Sequence, residues 1–212
     1  RKFLKYSRAQ ESAADQAAVR ILDSTGQSTR GLLAFIDKLG DQELLVAESK
    51  DPYARTHPLW VERADALRAH VEQSRFRDAT DPPALLAMHA RMRAKLVGYL
   101  KGLPQTLRRY PESDRTLPAR YARAVAYHRA RQSKKAITIV DALIEERPGD
   151  PYFHELKGQI LLESSRVEEA IPAYARAVEL DGDNALLRIG LGQAQVSLEG
   201  GRHVGPAIEN LK

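Results

Sequence analysis

Apolar residues recur along this chain three and four apart, the spacing that gathers them on one side of a helix. Leu4, Ala14, Ala18, Ile21 and Leu22 form such a stripe within residues 2–25. Gly26 is placed to stop it, because glycine takes the left-handed backbone in which many helices end. A second helix is predicted over 28–39, with Ser28 as its N-cap and Leu32, Leu33, Phe35, Ile36 and Leu39 on its buried side. Asp51-Pro52 and His57-Pro58 disfavour helix late in the polar stretch 40–58, since the residue before a proline is pushed out of the helical region. A third helix is predicted over 59–71. The charged, proline-containing stretch 73–83 reads as a linker. Asp81-Pro82-Pro83 then sets a cap followed by proline at the start of a helix reaching about Leu100. Gly102, Pro104 and Pro111 break up the residues after it.

From Pro118 onward the helices pair, and the pairs repeat every 34 residues. One period takes Ala136 to Ala170, Tyr127 to Leu161, Val140 to Tyr174, Leu143 to Ala177 and Pro148 to Gly182; it takes Ala124 to Gly158 and then to Gly192. A 34-residue period with small residues at these places resembles the tetratricopeptide repeat, a stack of helical hairpins. In that arrangement the small residue of the first helix lets the second approach closely. Ala170 sits where the two helices cross, Tyr174 and Ala177 face the next hairpin, and the Pro or Gly ends the second helix. The aromatic usual early in the first helix is replaced by Arg120, His154 and Arg188. Gly200-Gly201-Arg202-His203-Val204-Gly205-Pro206 reads as a short insertion that moves the counterpart of Ala170 to Ala207. About three hairpins are expected, the last cut short at Lys212.

Composition narrows the classes. The chain has 212 residues, enough for one large domain or two small ones, and 43% are hydrophobic, enough for a core. No run approaches the 18 consecutive apolar residues of a membrane-spanning helix, and no stretch of these residues reads as a signal peptide, which says little about a longer parent. The chain begins inside an apparent helix, so an upstream portion of a longer parent is expected. The absence of cysteine excludes disulfides and thiolate metal sites. The net charge is +5, with basic residues read as scattered among 28 acidic ones. A nucleic-acid binder gathers them on one face, so no nucleic-acid partner is expected.

Glu11 and Asp15 stand four apart and share a helix face. Taken alone they read as a solvated acidic pair near Arg8 and Arg20. Their company alters that. Tyr6-Ser7-Arg8-Ala9-Gln10-Glu11-Ser12-Ala13-Ala14-Asp15 is followed by Gly26, an apolar helix, Thr56-His57-Pro58-Leu59 and Arg63. This ordered series resembles the zinc metallopeptidases of family M48, whose bacterial members include a branch with a C-terminal tetratricopeptide array. The resemblance covers residues 1 to about 75. It implies two zinc-binding His and a general-base Glu on an HExxH helix, with Glu11 of an ExxxD helix as third ligand, leaving one position for water. It implies that Asp15 orients a ligand His through its far ring nitrogen, and that Arg63 stabilises charge developing on the scissile carbonyl. For His57 it implies approach to the metal and displacement of the water; ordering the turn before the third helix is the alternative.

The six His are His57, His70, His89, His128, His154 and His203, and no two are four apart. HExxH is therefore absent from this sequence, and the chain alone is expected to hold no zinc and cleave nothing. Zinc belongs to the full-length parent. The expected organisation is all-α: a C-terminal part of a metallopeptidase domain (1–75), a linker helix region (76–117) and tetratricopeptide repeats (118–212). The resemblance implies an envelope protein-quality-control endopeptidase of the bacterial periplasm, its parent membrane-associated, with repeats recruiting a protein or peptide. The alternative is a stand-alone adaptor without chemistry. Tyr127, Lys157, Tyr174 and Arg188 are candidates to line its binding face. The apolar sides of the first two helices would seek a partner, a second copy included.

Overall fold

The computed structural model describes residues 2–46, 60–198 and 204–211. They form helices and connecting turns, with no strand among the described residues. Two compact units result, residues 1–83 and 84–212.

The first unit has three helices, α1 (Lys2–Ser24), α2 (Arg30–Val46) and α3 (Trp60–Gln73). Gly26 ends α1 as its sequence position predicts. Its φ is +71°, and the Gln27 amide reaches back to the Leu22 carbonyl at 2.8 Å while the Gly26 amide reaches Asp23 at 3.2 Å. This double closure satisfies carbonyls that the helix end would leave bare. The predicted cap of α2 is displaced slightly. Ser28 Oγ accepts from the Arg30 amide at 3.2 Å and donates to the Arg77 carbonyl at 2.8 Å, so it also fastens the segment after α3. A small core results, with Ile36, Ala64 and Leu67 buried and Val19, Leu32, Leu33 and Trp60 packed around them.

The second unit contains α4 (Pro83–Leu100), α5 (Leu103–Arg109), α6 (Leu117–Arg129), α7 (Ser133–Glu146), α8 (Pro151–Glu163), α9 (Val167–Leu180), α10 (Ala185–Val196) and α11 (Val204–Leu211). The hairpins α6–α7 and α8–α9 repeat down to single hydrogen bonds. Arg131 and Ser165, 34 residues apart, both take positive φ, 58° and 60°. The next amide closes the turn at the same distance in each, Gln132 to Tyr127 and Arg166 to Leu161, both 2.9 Å. Asp150 and Asn184, again 34 apart, cap α8 and α10 through their side chains. Of the stretch 200–206 expected as an insertion, residues 204–206 belong to the last helix and the others lie outside the described residues. α11 begins at Val204, and Ala207 is buried where Ala170 is buried one unit earlier.

Close approach of small residues sets the stacking. A Cβ on Gly158 would lie 2.7 Å from the Tyr174 ring, and one on Gly190 would lie 2.5 Å from the same ring. Tyr174 of α9 therefore fills the space that the glycines of α8 and α10 leave open. The core continues through Tyr121, Val140, Leu143, Phe153, Leu156 and Ile160. Burying each such side chain contributes about 1.5–3 kcal/mol.

The region between the two sequence motifs is more ordered than its Gly and Pro suggest. α5 forms with Pro104 in its first turn, where a missing amide costs nothing. α4 packs on α6 and α8. Ala94 is buried, and a Cβ on Gly98 would sit 2.7 Å from the Ala122 carbonyl oxygen. Arg91 forks onto Asp150, Lys95 meets Glu155 at 3.3 Å, and Tyr99 donates to Gln159 at 2.7 Å.

Candidate functional site

Glu11 and Asp15 lie one turn apart on α1, and Arg63 projects from α3 toward both. Its Nε and Nη2 donate to the two carboxylate oxygens of Asp15, each at 2.7 Å. Its Nη1 stands 3.0 Å from Glu11 Oε2. The guanidinium carbon also lies 5.0 Å from the centre of the Trp60 ring. The Arg63 side chain is 12% exposed, Asp15 15% and Glu11 31%. A bidentate fork in so sheltered a place is the strong form of this pairing. The hydrogen bond to Asp15 raises the guanidinium pKa further, with burial opposing.

A groove of about 490 Å³ runs between α1 and α3 beside this cluster, with Asp15 and Arg63 at one end, Val19 and Leu67 along it, and Asp23 and His70 at the other. At that far end His70 Nε2 lies 3.2 Å from Asp23, and Ser74 Oγ donates to Asp23 at 3.2 Å. The hydroxyl thus points at the carboxylate and not at the imidazole, which fixes the end of α3 and does not arm a nucleophile.

The chemistry of the donor set is the test for a metal. Among the described residues no three of His, Cys, Asp and Glu converge as a metal site requires. Glu11 brings one carboxylate and Asp15 a second, and Arg63 already engages both. These residues do not make a complete zinc site by themselves, and no step of catalysis follows from them alone. His57 lies outside the described residues.

The candidate binding residues of the repeats have defined places. Tyr127 is buried, its hydroxyl 3.1 Å from Glu112 and its ring 5.2 Å from the Lys135 ammonium. Tyr174 is buried between the two glycines. Lys157 is ion-paired with Asp141 at 2.7 Å. Arg188 is half-buried, and its Nε has no hydrogen-bond partner. Sequence reasoning missed Arg91, whose guanidinium lies 4.5 Å from the Phe153 ring centre and 5.2 Å from both Tyr121 and Tyr152. It also missed the contact of Arg63 with Asp15, since nothing in the sequence links two residues 48 apart.

Comparison with known proteins gives the two regions their classes. Residues 2–71 match the model of peptidase family M48. Residues 121–185 and 155–203 match a tetratricopeptide repeat model. The chain therefore carries a segment that matches the M48 peptidase model, followed by segments that match the tetratricopeptide repeat model. It is 24% identical over 212 residues to the beta-barrel assembly-enhancing protease of Yersinia pestis, a match covering 99% of this chain and 43% of the relative. A Vibrio cholerae relative provisionally given the same name is 26% identical over 161 residues, covering 71% of this chain and 32% of the relative. The chain thus spans less than half the length of the curated relatives it matches. Among solved structures it is similar to residues 41 to the end of MamA from Desulfovibrio magneticus RS-1, with TM-score 0.43 and 16% identity over 84% of this chain and 92% of that one.

Proposed function

We propose that this chain is part of a zinc-dependent endopeptidase that acts on proteins of the bacterial envelope, and that its repeats recruit the substrate or a partner assembly. The observation that carries the reading is the Glu11–Asp15–Arg63 cluster, on the two helices that bracket the groove and inside the segment matching the peptidase family. In this reading Glu11 is the third zinc ligand, completed by two His from sequence beyond this chain. Arg63, fixed by Asp15, holds its positive charge beside that carboxylate. Asp15 organises both. When bound, a zinc ion at Glu11 would supply polarisation of a peptide carbonyl and activation of a water. The periplasm is the proposed compartment, drawn from the resemblance to the peptidase family; the names of the relatives, which speak of beta-barrel assembly, support an envelope role. Exposed Ile21, Phe35 and Val61 offer an apolar surface to the rest of the peptidase domain or to a second copy.

The test is cleavage of casein by the longer natural protein that contains this chain. Glu11→Ala should reduce the rate by about a hundredfold or more, at or above the upper end of the roughly 10- to 100-fold cost of losing a group that only orients a metal ligand. A Glu11→Ala protein that cleaves at the wild-type rate overturns the assignment and leaves the chain as an adaptor without chemistry.

A further inference from the structure

The charges of this chain are less evenly mixed than its totals suggest. Between Asp81 and Glu112 lie six Lys and Arg and no Asp or Glu, against a net charge of +5 for the whole chain. The stretch forms α4 and α5. Two of its cations, Arg91 and Lys95, are paired with α8. Among the described residues no carboxylate pairs with Arg93, Lys101, Arg108 or Arg109. Lys101, Arg108 and Arg109 converge with Val97 and Gln105 around one shallow depression of about 400 Å³.

The same helix carries an apolar ridge. Leu85, Met88, Met92, Leu96 and Leu100 succeed one another at three- and four-residue steps, which places them on one face. All are exposed, from 40% at Leu85 to 76% at Leu100. The opposite face, with Ala94 and Gly98, is the one buried on the repeats. Both methionines of the chain stand on the ridge. Unbranched, polarisable side chains of this kind mould to varied apolar partners. A ridge this long on a surface helix marks an interaction site.

We propose that the α4 ridge and its α5 flank dock a polypeptide segment that is apolar along one side and acidic along one edge. Charge selects that occupant. The cations that pair with no carboxylate among the described residues and gather together, Lys101, Arg108 and Arg109, lie on the α5 flank. The other flank is α8, where Gln159, the partner of Tyr99, also donates to the exposed carboxylate of Glu163. An anionic bilayer laid across the ridge would meet that carboxylate as well as the cations. A polypeptide sets its acidic residues on one side and avoids it. The inference deepens the proposed recruiting role of this region and rests on that reading for its biological sense. It places the docking surface on the helix before the repeats.

The test is fluorescence anisotropy of the full 212-residue chain with a labelled amphipathic peptide bearing Leu along one face and Glu along one edge. Controls are the same peptide with Lys for Glu, and vesicles rich in phosphatidylglycerol. The Glu peptide should bind, weaken with added salt, and bind at least about tenfold more tightly than the Lys peptide, the scale of electrostatic discrimination at a charged rim. Arg108→Glu with Arg109→Glu should reduce binding about tenfold, and Met92→Asp should do the same. Leu186→Ser, on the exposed face of α10, should leave it unchanged. Circular dichroism checks that each variant folds, and the peptide pair tests the claim with no variant at all. Equal binding of the two peptides, or no binding of the Glu peptide, overturns the proposal. So does binding of the vesicles in its place. No metal or cleavage enters the assay, so its failure is separable from failure of the peptidase reading.

Discussion

Tyr174 and Arg63 hold their units together by different physics. Tyr174 lies in the gap left by Gly158 and Gly190 and joins successive hairpins by apolar contact. Arg63 joins α3 to α1 by a fork onto Asp15 and a contact with Glu11, beside a core of few side chains. The hairpins distribute stability over equivalent contacts, each small and repeated. The first unit adds to its small core one sheltered cluster of charges on α1 and α3, which is also where the candidate chemistry lies. A scaffold tolerates the first arrangement, and a site that must hold charge in a fixed geometry needs the second.

Removing Tyr174 should break the contrast most visibly. Tyr174→Ala leaves a cavity between two glycines that cannot fill it. We expect a loss of about 3–5 kcal/mol, measured by urea denaturation. Arg63→Met should come next. It strands the Asp15 carboxylate in a sheltered place and should cost about 2–3 kcal/mol in the first unit, read as faster amide exchange in α1 and α3 with the hairpins unaffected. Arg91→Leu removes the fork to Asp150 and three ring contacts. About 1–3 kcal/mol should be lost, and exchange should quicken at Ala94 and Gly98 before it does so in α6.

The smallest effect is pH-dependent. Burial holds the His128 imidazole below its usual value of about 6.5, with Glu163 opposing. The unfolded chain therefore binds the proton more readily than the folded one. The stability that the neutral ring contributes is complete above the unfolded pKa and is lost as pH falls through the folded one. Wild type should lose on the order of 1 kcal/mol more than His128→Gln between pH 7 and 5, by thermal melts at each pH.

The comparison also explains what was legible in the sequence. Contacts that recur at fixed spacing leave a period. The period located Ala170, Tyr174 and Ala177 in the core and the shift to Ala207, while the end of the first helix at Gly26 was legible from a glycine that follows an apolar stripe. The Glu11 and Asp15 pair was visible because a helix places i and i+4 on one face. Their tie to Arg63 was not, because a single polar contact across 48 residues has no period. The packing of α4 was hidden for a related reason. Its buried face is lined by Arg91, Lys95 and Gly98, while its leucines and methionines face outward, so the apolar pattern pointed to the wrong side.

The central claim is that Glu11 is a metal ligand held in place by its neighbours on α1 and α3. The most direct measurement is the zinc content of the longer natural protein, wild type against Glu11→Ala, after dialysis against a weak chelator. The account predicts about one zinc per wild-type chain and less than about a tenth of that in Glu11→Ala. Equal zinc in the two proteins would contradict it and remove Glu11 from the site.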